Sequence, residues 1–114
     1  MRPAGSSDRI YLLHIRDAIE RIEQYSAVGR DEFFAKPHWQ DAIIRQLEIV
    51  GEASKRLSDD LRTANPTVPL RRVCGLRDIL IHHYMGVDLG AVWATVERGI
   101  PALKETVTRL LGPE

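Results

Sequence analysis

Between residues 75 and 84 the chain reads Gly75-Leu76-Arg77-Asp78-Ile79-Leu80-Ile81-His82-His83-Tyr84. A guanidinium, a carboxylate, two imidazoles and a phenol are gathered within eight positions. An imidazole titrates near pH ~6.5 and so moves protons at neutral pH. A guanidinium stays charged and presents a planar fork to phosphate or carboxylate oxygens. Together they suit proton transfer beside a developing negative charge. Other chemistries are poorly supported. There is no HExxH, and His14 and His38 are remote in sequence from the His82-His83 pair. Cys74 lies beside an apolar stripe and reads as core. No Gly-rich phosphate loop appears, which excludes a nucleotide-hydrolysing fold. No metal and no cofactor are expected.

These residues must be positioned by a helix. Leu70, Val73, Arg77, Leu80 and Tyr84 recur at helical spacing, so the pattern predicts a helix from near Pro69 to about Tyr84, ended by Met85-Gly86. Arg77 then stands at a core-like position, where an unpaired charge costs several kcal/mol. Three arrangements satisfy it. It pairs with an acid such as Glu48 or Glu52 on a neighbouring helix, it snorkels to water, or its stripe faces a cleft or a second subunit. Arg77 and Tyr84 differ by only ~20° around the helix, whereas Arg77 and His82 differ by ~140°. A distorted helix end or a neighbouring subunit must therefore bring His82 and Arg77 together. Without such an arrangement, His82 and His83 read as a helix C-terminal pair facing the dipole.

The rest of the chain supplies the partners of that helix. Ser6, Ser7 and Asp8 are good N-caps. Beyond them Leu12, Ile15, Ile19 and Ile22, with Ala18 and Tyr25, predict an amphipathic helix over about 8–28. Gly29 suits its stop. Asp31 suits the cap of a short turn through Phe33 and Phe34. Pro37 suits the first turn of a second long helix. Its stripe is Trp39, Ile43, Leu47, Val50, Ser54 and Leu57, reaching about residue 58. Gly51 beside that stripe suits a close helix approach. Residues 58–68, with Asn65-Pro66, read as a break that has room for one short turn. Asp88 suits the cap of a helix carrying Leu89, Val92, Trp93 and Val96. Gly99 is expected to stop it, and Pro101 to start a last helix to about Leu111. No stretch shows strand alternation. Short connections favour antiparallel neighbours. The expectation is an all-α, up-and-down antiparallel bundle of four to five helices in a single domain, residues 1–114, with an ordered core over about 8–111.

The composition agrees. The chain has 114 residues, 44% hydrophobic and 28% charged, a balance that suits one folded core. The 16 basic and 16 acidic residues cancel, so net charge does not advertise a nucleic-acid partner. The charge is uneven along the chain, however. Residues 31–60 hold seven acids and four bases, while residues 61–86 hold four Arg and one Asp. One cysteine excludes an internal disulfide framework. No apolar run approaches the ~20 residues that span a bilayer. The first residues lack the apolar core of a secretory signal. The expectation is a cytoplasmic protein with no membrane association.

Arg77, four residues, His82, one residue, Tyr84 matches the Arg-x4-His-x-Tyr signature of HepT-like proteins, within the HEPN family of helical ribonucleases. Asp78 fills the polar position that follows the arginine in the broader family pattern. Arg45-Gln46-Leu47-Glu48-Ile49-Val50-Gly51-Glu52-Ala53 also resembles this subfamily. So do Tyr84-Met85-Gly86-Val87-Asp88, Val92-Trp93 and Ile100-Pro101-Ala102-Leu103. The likeness runs from about residue 8 to 111 and has no departure from the motif. It implies a metal-independent endoribonuclease acting as a homodimer on RNA. It further implies a toxin paired with a nucleotidyltransferase antitoxin of the MntA type, which transfers AMP to the motif tyrosine. Carried onto this chain, Arg77 and His82 are catalytic, Asp78 is supporting and Tyr84 is the modified residue. His83 fills a variable slot and receives no role.

The residue types fit that chemistry, because RNA carries its own nucleophile in the 2′-OH. A competing class is a non-catalytic helical module that binds a ligand or clasps a nucleotidyltransferase. The intact Arg77, Asp78 and His82 set favours the enzyme. Because His83 occupies the variable slot, His83→Ala is expected to lose less RNA-cleaving activity than His82→Ala. Equal losses in a cleavage assay would assign the wrong histidine.

Overall fold

The computed structural model describes residues 6–64 and 88–113, and these contain helices and no strand. The expected helix over 69–84 lies outside the described residues, together with Cys74. The described elements are α1 (Ser6–Ser26), α2 (Arg30–Ala35), α3 (Pro37–Lys55), α4 (Asp59–Ala64), α5 (Leu89–Ala94), a π-helical turn (Thr95–Gly99) and α6 (Ile100–Leu111).

Helix α1 organises the bundle. Its Leu12, Ile15, Ala18, Ile19 and Ile22 are all buried. They span an arc of ~120°, wide enough to serve two neighbouring helices. One neighbour is α3, which buries Ile43, Leu47, Val50, Ala53 and Ser54. The other is α6, which buries Ile100, Leu103 and Val107. Burial of each large aliphatic side chain contributes about 1.5–3 kcal/mol. Phe33 of α2 closes one end, fully buried with its ring centroid 5.0 Å from that of Trp93 in α5.

Polar contacts fix the directions of these helices. Asp8, in the first turn of α1, accepts from the Ser58 backbone N–H at 2.8 Å and from Ser58 Oγ at 2.6 Å. The start of α1 therefore meets the far end of α3. Arg9 Nη1 donates to the Leu111 carbonyl at 3.3 Å, and Lys104 Nζ pairs with Glu23 Oε2 at 2.8 Å. The start of α1 meets the end of α6, and its later turns meet the earlier part of α6. Both neighbours thus run antiparallel to α1, as expected.

The turns follow local chemistry. Gly29 has φ 94° and ψ 166°, a region that side-chain-bearing residues rarely enter. It closes α1 as anticipated. Asp31 sits inside the first turn of α2 and is not its cap; Gly29 holds that position. Gln40 Nε2 donates to the Phe33 and Phe34 carbonyls at 2.9 and 3.2 Å, which ends α2. Ser58 Oγ accepts from Leu61 N–H at 3.2 Å, capping α4. Arg62 Nη2 then donates to the carbonyls of Ser54 and Lys55 at the end of α3. The break expected after residue 58 is therefore a short helix folded back onto α3.

Two further expectations are corrected. Asp8 is not the cap of α1, which begins at Ser6; its carboxylate is spent on Ser58 instead. Nor does Gly99 stop a helix. Its φ of −71° and ψ of −43° are helical, and α5 continues through the π turn into α6. Proline inside an α-helix clashes with the carbonyl four residues earlier, which for Pro101 is that of Glu97. The π turn ends two residues before Pro101, with the Ile100 N–H bonded to the Thr95 carbonyl. This wider turn opens the backbone where the proline ring enters.

The Asp8–Ser58 contact ties chain positions fifty residues apart. Asp8→Ala is expected to lower unfolding stability by about 1.5–3 kcal/mol, the usual worth of hydrogen bonds to a charged group. Urea titration measures this; Ser58→Ala keeps the backbone N–H bond to Asp8 but also gives up the cap of α4, so it too should be destabilising.

Candidate functional site

Arg77, Asp78, His82 and Tyr84, with His83, fall at residues 65–87, outside the described residues. What is described is the frame on either side. Before this segment, α4 is held by buried Leu61 and by the Arg62 bonds to α3. After it, Asp88 caps α5, its Oδ1 accepting from Ala91 N–H at 3.1 Å. The cap expected from sequence is thus in place, four residues beyond Tyr84 in the sequence, and it gives α5 a defined start at Leu89.

Glu48 and Glu52, the acids considered as partners for Arg77, stand on α3 along a groove between α1 and α3. Its volume is about 530 Å³, and Tyr11, His14, Arg45, Glu48, Ile49 and Arg56 are among its walls. Arg45 Nη1 lies 3.6 Å from Glu48 Oε2, and Arg56 Nη2 lies 3.3 Å from Glu52 Oε1. The Glu48 side chain keeps 30% of its exposure, so it is not a fully buried acid. Hydrogen bonds that Arg56 donates to the Tyr11 side-chain oxygen and then to the Glu52 carboxylate hold its guanidinium above its ordinary pKa. Arg56 is therefore a permanent cation. The Tyr11 and His14 rings meet edge to face at 6.2 Å.

The groove mixes cations, carboxylates and a short apolar floor. From sequence, Tyr11 falls within the apolar arc of α1 and reads as core, and His14 reads only as an isolated histidine remote from His82-His83. Their i, i+3 spacing on one helix flank is the signal that was available. No group of three or more potential metal ligands occurs among the described residues. No helix among them is long and apolar enough to cross a membrane.

An antiparallel all-helical domain, with one groove along its longest helices, defines the class of small helical bundle proteins. Comparison with known proteins then narrows it. A family profile described as "Ribonuclease HepT-like" matches residues 15–110, a span that includes Arg77, Asp78, His82 and Tyr84. The chain belongs to this HepT-like ribonuclease family. It is 41% identical over 105 residues to "Probable ribonuclease HepT" of Thermococcus cleftensis, covering 91% of this chain and 96% of that protein. A candidate RNase of Caldanaerobacter subterraneus is 37% identical over 107 residues, covering 93% and 96%. A Methanocaldococcus jannaschii protein named both gamma-glutamylcyclotransferase and candidate RNase is 43% identical over 104 residues. That match covers 90% of this chain but 47% of the longer relative, so the chain spans about half of it. No solved structure gives a significant match.

Proposed function

We propose that this chain is the toxin of a toxin–antitoxin pair, a metal-independent endoribonuclease silenced by AMP transfer to Tyr84. The observation that carries this reading is the complete Arg77-x4-His82-x-Tyr84 motif inside the family match over residues 15–110. Relatives of similar length, named as ribonucleases, support the substrate class.

The chemistry uses the ribose itself. The 2′-oxygen attacks the adjacent phosphorus, a bond forms between them, and the bond from phosphorus to the 5′-oxygen breaks. The products are a 2′,3′-cyclic phosphate and a 5′-hydroxyl. The proton leaving the 2′-OH must be removed, and one must reach the departing 5′-oxygen; His82 has the pKa class for such transfer. Arg77 stabilises the charge that develops on the phosphorane oxygens through its bidentate fork. Asp78 orients His82 or Arg77. A homodimer would place two motifs around one cleft and relieve the ~140° separation of Arg77 and His82 on a single helix. The proposed site of action is the cytoplasm, with no membrane partner.

Arg77→Ala and His82→Ala should each lower RNA cleavage by about 10²–10⁴-fold while retaining helical circular dichroism. EDTA should leave the wild-type rate unchanged. Loss of cleavage in EDTA, restored by Mg²⁺, would contradict the proposed chemistry.

The silencing partner is a nucleotidyltransferase antitoxin of the MntA type. The Tyr84 oxygen attacks the α-phosphorus of ATP, pyrophosphate leaves, and the phenolic proton passes to solvent or a base. The new phosphodiester is negatively charged, pairs with nearby guanidinium groups and repels RNA phosphate. Tyr84→Phe should keep most of its cleavage activity and escape this inhibition. Mass spectrometry after incubation with the antitoxin and ATP should find AMP on the wild type and none on Tyr84→Phe. Modification and silencing of the variant would remove Tyr84 from this role.

A further inference from the structure

The groove between α1 and α3 is charged but balanced. Of the described residues that wall it, two are arginines, Arg45 and Arg56, and two are glutamates, Glu48 and Glu52. A rail for successive phosphates of a strand is positive along its length, and this groove is not. On its α1 side stand two flat rings, Tyr11 and His14, edge to face at 6.2 Å. Half-buried Ile49 adds an apolar floor. A volume of about 530 Å³ falls in the range of small-ligand sites. Rings to stack on, carboxylates to accept hydrogen bonds and a guanidinium at each end match one nucleotide, which has one flat base and one anionic phosphate.

We infer that this groove seats a single guanine nucleotide of the RNA, its base against Tyr11 and His14 and its Watson–Crick edge on Glu48 and Arg45. The inference rests on the ribonuclease reading above and adds a base preference to it. An ionised carboxylate only accepts hydrogen bonds, and its two oxygens can serve two adjacent donors. Guanine alone among the four bases offers two adjacent donors on that edge, N1–H and the N2 amino group. Beside N1–H stands O6, an acceptor. Arg45 Nη1 lies 3.6 Å from Glu48 Oε2, in ionic contact but beyond hydrogen-bond length. A donor therefore stands beside the carboxylate, where O6 falls. Adenine and cytosine set a ring-nitrogen acceptor next to their amino group. Uracil flanks its one donor with two carbonyl oxygens. Each of these three turns an acceptor toward a Glu48 oxygen, and a mismatched polar pair of this kind costs affinity.

The remaining walls hold these groups ready. Arg56 donates to the Tyr11 oxygen and so ties that ring to α3 across the groove. It also donates to Glu52 Oε1 at 3.3 Å. A guanidinium has five N–H donors, more than these two partners take, and the Arg56 side chain is 58% exposed. It stands about two helical turns beyond Glu48, at the end of the groove away from Arg45, and is the cation for the nucleotide's phosphate. The Glu48 side chain, at 30% exposure, is open enough to be reached and sheltered enough for its charge to be less screened than in bulk water. His14 is exposed on the α1 rim.

The test uses the full chain and fluorescent oligouridines of 2′-O-methyl RNA, which lack the 2′-OH and cannot be cut by the proposed route. Each carries one guanine, adenine, cytosine or inosine, with the all-uridine form as reference. Fluorescence anisotropy at one fixed salt concentration reads the dissociation constants. The guanine form should bind at least ~10-fold more tightly than the adenine, cytosine and all-uridine forms. Inosine, which lacks the N2 amino group, should fall between. Glu48→Gln should bring guanine to within ~3-fold of adenine without weakening adenine binding. His14→Ala, and Tyr11→Leu, which keeps apolar bulk, should each weaken every form about tenfold and leave the guanine ratio in place. Circular dichroism checks folding, and if Tyr11→Leu does not fold, His14→Ala decides the stacking arm. Equal binding of all forms, no binding of any, a guanine preference that survives Glu48→Gln, or unchanged binding by His14→Ala would each overturn this seat. Cleavage of ordinary RNA to 2′,3′-cyclic phosphate ends by the wild type is measured alongside. Its presence keeps the ribonuclease reading and its absence removes it, whichever way the anisotropy falls.

Discussion

The described structure depends on covering both sides of the apolar face of α1. Five buried side chains span ~120° of that helix. One neighbour cannot cover such an arc, so α1 needs α3 on one side and α6 on the other. That requirement sets the antiparallel arrangement, with Asp8–Ser58, Arg9–Leu111 and Glu23–Lys104 fixing the relative heights of the helices. These polar contacts specify alignment more than they stabilise. Apart from Asp8 they lie at exposed positions, where such pairs contribute about 0–1 kcal/mol.

This arrangement also decides what is left for function. Helix α3 spends one side on the core, and its charged opposite side is its wall of the groove shared with α1. The segment with Arg77, His82 and Tyr84 is attached between two secured elements, α4 through Leu61 and Arg62, and α5 through Asp88. A capped helix start and a buried anchor on either side are what a preorganised site requires of its frame. The ribonuclease family match covers frame and segment together.

Much of the frame was legible in the sequence because local and global signals agree. Gly29 has the backbone only glycine adopts readily, Pro37 opens α3, and Asp88 caps α5. The aliphatic stripes on α1 and α3 are the buried ones. Failures came where a tertiary or helical context overrides the local preference. Asp8 looks like a cap until Ser58, fifty residues away, takes its carboxylate. Gly99 looks like a stop until a π turn carries helical backbone through it, whereas Pro101 does sit in the first turn of the last helix as expected. The motif residues were legible only as a pattern of types. The groove residues Tyr11 and His14 were not, since they gain meaning only when α3 is laid beside α1.

The proposed chemistry is cleavage of RNA through the ribose 2′-OH, with no metal. The most direct measurement is the chemistry of the cut ends. The purified chain, in EDTA, would be incubated with a defined RNA and with the same RNA carrying a single 2′-deoxy nucleotide 5′ to the cut. Mass spectrometry should find a 2′,3′-cyclic phosphate and a 5′-hydroxyl on the first, and no cut at that position on the second. A 3′-hydroxyl with a 5′-phosphate, or cleavage at the deoxy position, would contradict the account.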